Sequence, residues 1–219
     1  MIKLVIATSG INGAGTNTQI LQNIPDSSKI FYDDSAKSAR KEIMPELTRV
    51  LAYNSASAVE WIQDKFQVDL SIVSRLGGHS QPRTHRGKEA FPGMTITYAL
   101  MEKMEELCEK NPEKYMVVKK AQVTSLIKNK MDVIVGCKFD RNGSSECLYG
   151  PVILSTGGYA SDFSTTSLLQ KFRPELVHLP TTNGDHCTGD GIKMTLSVGG
   201  NLIHMDKVQG FYFFFMLLC

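Results

Sequence analysis

Glycine placement constrains this chain more than any other feature. Three loops rich in glycine and hydroxyl side chains occur, at Ser9 to Gly15, Thr156 to Gly158 and Thr188 to Gly191. Two of them follow short apolar runs, Met1 to Ile6 and Val152 to Ser155. An apolar run closed by glycine reads as a buried strand whose tip meets a ligand or another backbone. Any one such loop is ordinarily a turn. Three together also suit a cradle of backbone N–H groups, of the kind that meets phosphate, ribityl or ring oxygens. The first loop, with glycines at 10, 13 and 15, reads GxxGxG and not the GxGxxG spacing of a dinucleotide fingerprint.

Periodicity fills in the rest. Apolar residues recur at helical spacing from about Arg40 to Lys65 (Ile43, Leu47, Val50, Leu51, Ala58, Trp61, Ile62), with a break near Asn54 and Ser55. A second helix is predicted from Met94 to Lys110, lined on one side by Met94, Leu100, Met101, Met104 and Leu107. Strands are predicted at Tyr115 to Val118, Val123 to Ile127 and Val133 to Phe139. Asn142-Gly143 then supplies a tight hairpin turn, and the chain returns near Cys147 to Tyr149. A last helix, from about Ile192 to Val198, is capped by Thr188 or Asp190 and stopped by Gly199-Gly200. The fold class is therefore α/β, with a helical insertion and a small antiparallel sheet.

A formal net charge of +2 gives no reason to expect nucleic acid as a partner. Five scattered cysteines without a CxxC pair suit an intracellular protein with reduced thiols, in cytoplasm or mitochondrion. The opening residues do not have the form of a signal peptide. The apolar tail from Phe211 to Cys219 falls short of the roughly 20 residues a membrane span needs. Residues 1–209 are read as one partial domain and 210–219 as an aberrant tail.

The polar clusters admit more than one use. His79, Arg83, His85 and Arg86 form either a guanidinium-based site for a dicarboxylate or a solvated loop. No spacing supports zinc at His79, His85, His186 and Cys187, and no base pairs with Cys187 as a nucleophile. Asp190 is suited to accept from a ribityl or ribose hydroxyl and equally to cap a helix. Trp61 and the methionines at 94, 101 and 104 read as core.

Six segments in order carry a family resemblance: Ser9-Gly10-Ile11-Asn12-Gly13-Ala14, Leu76 to Arg86, Ser155-Thr156-Gly157-Gly158-Tyr159, His178 to Gly184, Thr188-Gly189-Asp190-Gly191 and Met205 to Gln209. Together they resemble the soluble fumarate reductases of the fumarate reductase/succinate dehydrogenase flavoprotein family. The resemblance implies part of an FAD-binding domain of the two-dinucleotide-binding type, with FAD as cofactor. It places flavin contacts at Thr8, Ser9, Gly10 and Asn12, an adenosine contact at the backbone around Val123, and further cofactor contacts at Thr156, Gly157 and Asp190. It implies hydride transfer from flavin to fumarate, giving succinate, with electrons from a separate donor. Ketosteroid dehydrogenases and aspartate oxidases are neighbouring alternatives that the His79 to Arg86 segment disfavours. A non-catalytic binding fragment is the rival of another class.

Two departures temper that expectation. The family's GxGxxG unit precedes the Ser-Gly-Ile-Asn segment, whereas this sequence opens eight residues before Ser9. After Gln209 the family continues Val-His-Pro-Thr-Gly, and here Phe211 stands where the substrate-binding histidine is expected. No catalytic residue is therefore assigned, and weak or no FAD binding and no turnover are expected from this polypeptide by itself.

Overall fold

The structure, a computed structural model, describes residues 10–88 and 92–208. It combines helices with two small antiparallel sheets, and the chain divides into two compact units that meet in sequence at residues 117 and 118. Each unit is described by itself.

The first unit opens with β1 (Ile11–Asn12), followed by α1 (Asn17–Leu21) and α2 (Ser28–Ala39). Thr16 and Gln19 form a reciprocal capping box at the start of α1, and Ser27 caps α2 by accepting from the Ile30 N–H. A short 3-10 turn at 40–42 leads to α3 (Pro45–Tyr53), which begins on proline, where the missing N–H is no loss. α4 (Ser55–Phe66) starts directly after Asn54, at the break anticipated from the sequence. Then come β2 (Ile72–Ser74), β3 (Thr84–Arg86) and α5 (Pro92–Lys110), which begins two residues before the periodicity predicts. The sheet order is β1-β3-β2, and Ile11 lies opposite His85.

Val59 and Ile62 of α4 pack with Val68 and Leu70, against Ile11, Phe66, Ile96 and Ala99. Each such fully buried aliphatic side chain contributes about 1.5–3 kcal/mol. Ala14, Phe31 and Ala52 form a second small core. The helical periods are as predicted, but the buried faces are narrower. Leu47, Val50 and Leu51 are more than half exposed, because α3 buries only Ala52, and Trp61 on α4 is more than half exposed as well. Trp61 is thus not core; it stacks edgewise on Phe66 at 5.0 Å. Likewise α5 turns Ile96 and Ala99 inward and leaves Leu100 and Met104 in solvent.

The second unit holds the antiparallel meander β4 (Gln122–Lys128), β5 (Ile134–Arg141) and β6 (Ser144–Tyr149). Asn142 and Gly143 take φ of 50° and 79°, the left-handed pair that a two-residue hairpin demands. α6 (Leu168–Phe172), a 3-10 turn at 174–176 and α7 (Asp190–Ser197) follow. Tyr159, Leu168, Leu169 and Leu176 form the core here, joined by Phe172, Leu179, Ile192 and Met205. Asp162 is fully buried beneath it, accepting from the Leu168 N–H at 2.7 Å and the Ser164 hydroxyl at 2.6 Å, with the Lys193 ammonium at 2.9 Å. Burial alone raises the Asp162 pKa, but these donors outweigh it and hold the carboxyl below its ordinary value.

Two predicted strands are absent. Tyr115 to Val118 forms no ladder, and neither does Val152 to Ser155. The latter is not buried either: Ile153 is 89% exposed and Leu154 43%. An interior strand needs a neighbour on each side, and among the described residues no strand runs beside this segment. The strand expected at residues 1–6, Thr8, Ser9 and the apolar tail lie outside the described residues.

Candidate functional site

Of the residues singled out in the first glycine loop, Gly10 and Asn12 are described, both at β1. Gly10 has φ +103°, and a Cβ there would run into the carbonyl of His85. Its glycine is thus explained by the close approach of β1 to β3, in a conformation that side chains avoid. Asn12 is exposed, and its Oδ1 accepts from the hydroxyl of Thr84 at 2.6 Å. Behind it the loop is fastened into the unit: the Gly13 N–H donates to Arg83 O at 2.9 Å and the Ala14 N–H to Ser55 Oγ at 3.0 Å.

In the cation-rich segment that follows β2, Leu76 to Gly78 and Ser80 are exposed and His79 and Arg86 half-buried, while Arg83 and His85 turn inward. Arg83 is completely buried. Its Nε and Nη2 donate to the two oxygens of Asp26 at 3.1 and 3.0 Å, Nη2 also reaches Asp34 at 2.8 Å, and the guanidinium lies 4.8 Å over the Phe31 ring. Nε and Nη2 are thus taken by Asp26 and Asp34, which ties Arg83 into the fold, while Nη1 is buried without a hydrogen-bond partner among the described residues. His85 is buried too. Its Nδ1 lies 2.9 Å from Arg83 O and its Nε2 2.7 Å from the Thr16 hydroxyl. A carbonyl can only accept, so Nδ1 carries a proton, and in the neutral ring, the form that burial favours, Nε2 accepts from Thr16. Burial, the largest influence, lowers the His85 pKa accordingly. His79 is shifted down for the same reason, with Arg83 adding to the effect.

In the second unit two glycine loops meet. The Gly191 N–H donates to Thr156 Oγ1 at 3.2 Å, the Gly189 N–H to Gly158 O at 3.1 Å, and the Ser161 N–H to Cys187 O at 3.0 Å. A Cβ on Gly191 would collide with the Thr156 side chain, so this junction closes only around glycine. Asp190 begins α7 without capping it; Gly189 is the N-cap residue, and the Thr188 hydroxyl donates to Asp190 Oδ1 at 2.8 Å. Asp190 sits in the first turn, where a carboxylate is favoured by the helix dipole. Thr156, Gly157, Gly158 and Asp190 are all exposed.

The donor set here fits a flavin nucleotide. The amides of Gly157 and Gly158 make no hydrogen bond to any described residue, and Gly157 has φ +76° over open space. Thr156 spends a lone pair on Gly191 and keeps its hydroxyl hydrogen for an outside acceptor. Asp190 supplies the complementary acceptor, suited to a sugar or ribityl hydroxyl. Val123 lies on β4, at the edge of its sheet, so one side of its backbone has no ladder partner among the described residues. No cluster of His, Cys, Asp or Glu among the described residues could hold a metal ion.

A protein family described as FAD binding domain matches residues 2–212, nearly the whole chain. This chain belongs to that family. FAD is its cofactor. The FAD-binding domain here is 43% identical over 209 residues to a fumarate reductase of Schizosaccharomyces pombe, and 38% identical over 205 residues to fumarate reductase 1 of Saccharomyces cerevisiae. Those alignments cover 94% and 93% of this chain but 41% and 43% of the relatives, so the chain spans about two fifths of their length. A flavocytochrome c3 fumarate reductase in its open conformation superposes with a TM-score of 0.76 at 26% identity, over 89% of this chain and 33% of that one. A 3-ketosteroid dehydrogenase from Rhodococcus jostii superposes with a TM-score of 0.80 at 19% identity, over 92% and 47%, which speaks for the fold alone.

Sequence reasoning missed the acidic partners Asp26 and Asp34 of Arg83 and the Thr16–His85 contact. A signal for part of this was present, since Thr16-Asn17-Thr18-Gln19 has the capping-box form and marks the start of α1. Nothing local in the sequence marks Asp26 as the mate of a residue 57 positions away.

Proposed function

We propose that the whole protein of which this FAD-binding domain is part reduces fumarate to succinate. Bound FAD supplies the hydride. The protein's own part is to hold the cofactor and keep it oriented, a role that positioning and electrostatics can fill without a covalent step. In this reading Gly157 and Gly158 offer backbone N–H groups to the cofactor, Thr156 a hydroxyl, Asp190 an acceptor for a ribityl or ribose hydroxyl, and the outer edge of β4 at Val123 a backbone contact. Thr8, Ser9, Gly10 and Asn12 form the other contact segment. The dicarboxylate substrate and the electron donor meet the full-length protein, in an intracellular setting to which the four free cysteines of the described residues are suited.

The observation that carries the reading is the junction of Thr156 to Gly158 with Gly189 to Gly191, which leaves unpaired donors and one carboxylate on a single exposed rim. Support comes from two yeast relatives that are both fumarate reductases. The test has two parts. FAD titrated into the chain, followed by flavin fluorescence, is expected to bind weakly but saturably, and Asp190→Ala to weaken it further. Fumarate-dependent oxidation of a reduced dye is expected of the full-length protein and not of this chain. Full-length protein that binds FAD but oxidises the dye only with another acceptor would sink the assignment to fumarate.

A further inference from the structure

The side chain of Asn12 is held in one orientation by a residue outside every glycine loop. Thr84 is 1% exposed, and its hydroxyl faces Asn12 Oδ1 at 2.6 Å. A buried hydroxyl must place its hydrogen on an acceptor, whereas a spare lone pair goes unused at little cost. Among the described residues the Thr84 hydroxyl makes no other hydrogen bond. The two possible settings of the Asn12 amide are therefore unequal. With the oxygen turned to Thr84 the buried proton is satisfied; with the NH2 turned there, that proton has no acceptor.

We infer that Thr84 is a positioning residue that fixes the Asn12 carboxamide with its NH2 outward, so that Asn12 presents its NH2 to the ligand as a hydrogen-bond donor. The inference rests on the proposal that Asn12 contacts the flavin, and it narrows that contact to an acceptor atom, a ring carbonyl or an unprotonated ring nitrogen. The surroundings make the arrangement rigid. Asn12 pairs with Thr84 in the β1–β3 ladder, the neighbouring His85 is locked to Thr16, and Gly10 admits no side chain where β1 crosses His85. The strand that carries the flavin contact is thus set by the strand that carries Thr84, so the outward NH2 is prepared before any ligand arrives.

The test compares Thr84→Val, which keeps the shape and removes the hydroxyl, with Thr84→Ser, which keeps the hydroxyl. NMR of the uncomplexed chain reads the Asn12 side-chain NH2 signals and their couplings. Wild type and Thr84→Ser are expected to show one fixed rotamer, and Thr84→Val an averaged one. FAD titration is then expected to weaken about tenfold in Thr84→Val and to recover in Thr84→Ser. If the Asn12 amide is equally fixed in Thr84→Val, the positioning role is overturned whatever FAD does. If the amide loosens as expected but neither Thr84→Val nor Asn12→Ala alters FAD affinity, the orientation stands and the flavin contact at Asn12 is overturned instead.

Discussion

Replacing Arg83 by methionine tests whether the cation-rich segment is internal scaffolding. The substitution keeps much of the volume and removes the charge. It leaves Asp26, whose side chain is wholly buried, without its bidentate partner, and Asp34 without the second contact of the guanidinium. Removing one member of a buried ion pair costs about 3–5 kcal/mol, chiefly because the remaining charge stays desolvated. Loss of the cation from the Phe31 face adds about 0.5–1 kcal/mol. Gln19 donates to Asp26 at 2.9 Å and compensates in part, so the lower half of that range is expected. With a urea dependence of about 2 kcal/mol per molar, a loss of about 3 kcal/mol moves the unfolding midpoint down by about 1.5 M. Far-UV circular dichroism in urea measures it. Asp26→Leu combined with Arg83→Met should recover a good part of the loss, since a buried pair exchanged for apolar residues is often close to neutral. A midpoint within 0.3 M of wild type (roughly 0.6 kcal/mol on the same slope) for Arg83→Met alone would show that the guanidinium is hydrated and open to a ligand, and the carboxylate-clamp reading would return.

Two further outcomes follow from the geometry. His85 is buried neutral with its pKa depressed, so the stability it contributes is complete above its ordinary value near 6.5 and falls as the pH drops below that. Urea midpoints at pH 7.5 and 5.5 should differ more in wild type than in His85→Gln, and equal differences would contradict the neutral-ring assignment. Gly191→Ala drives a methyl group into Thr156 and should open the loop junction, destabilising the second unit by about 1–3 kcal/mol, the range for overpacking a tight site. Hydrogen exchange at Gly189, which donates to Gly158 O, reports that opening directly, and unchanged protection there would refute it.

Local chemistry made some of this architecture legible and non-local pairing hid the rest. Asn142-Gly143 announces its hairpin because only certain residues tolerate two successive positive φ angles. The break at Asn54 and the length of α5 follow from periodicity that any helix must show. Burial was harder to read, because periodicity finds an apolar face without telling how much of it is covered. Leu47 and Val50 keep the helical spacing and still lie in solvent. The apolar run at Val152 to Ser155 misled for a related reason: composition describes what a strand would bury, while a ladder depends on a neighbour contributed from elsewhere. At the candidate site, glycine and hydroxyl patterns singled out the loops of Thr156 and Asp190, and the structure brings those two loops together. For Arg83 and His85 the sequence left a carboxylate site and a solvated loop both open and did not show their burial, because their partners Asp26 and Thr16 sit 57 and 69 residues away.

The stitched loops of the second unit also bear on how this domain can change without losing its rim. The chain leaves at Gly158 and is back at Gly189, and the bonds across that neck, backed by Tyr159 and Leu168 packed against Gly189, set where Thr156 and Asp190 stand. Within the excursion, residues 163–166 are exposed. Lengthening a closed loop is cheap: doubling it costs only about 0.6 kcal/mol, less than one typical hydrogen bond. At 163–166 the closure cost is therefore not what limits an insertion; the limit is the turn that Ser164 and Leu168 close on the buried Asp162 carboxylate, which any added residues must leave intact.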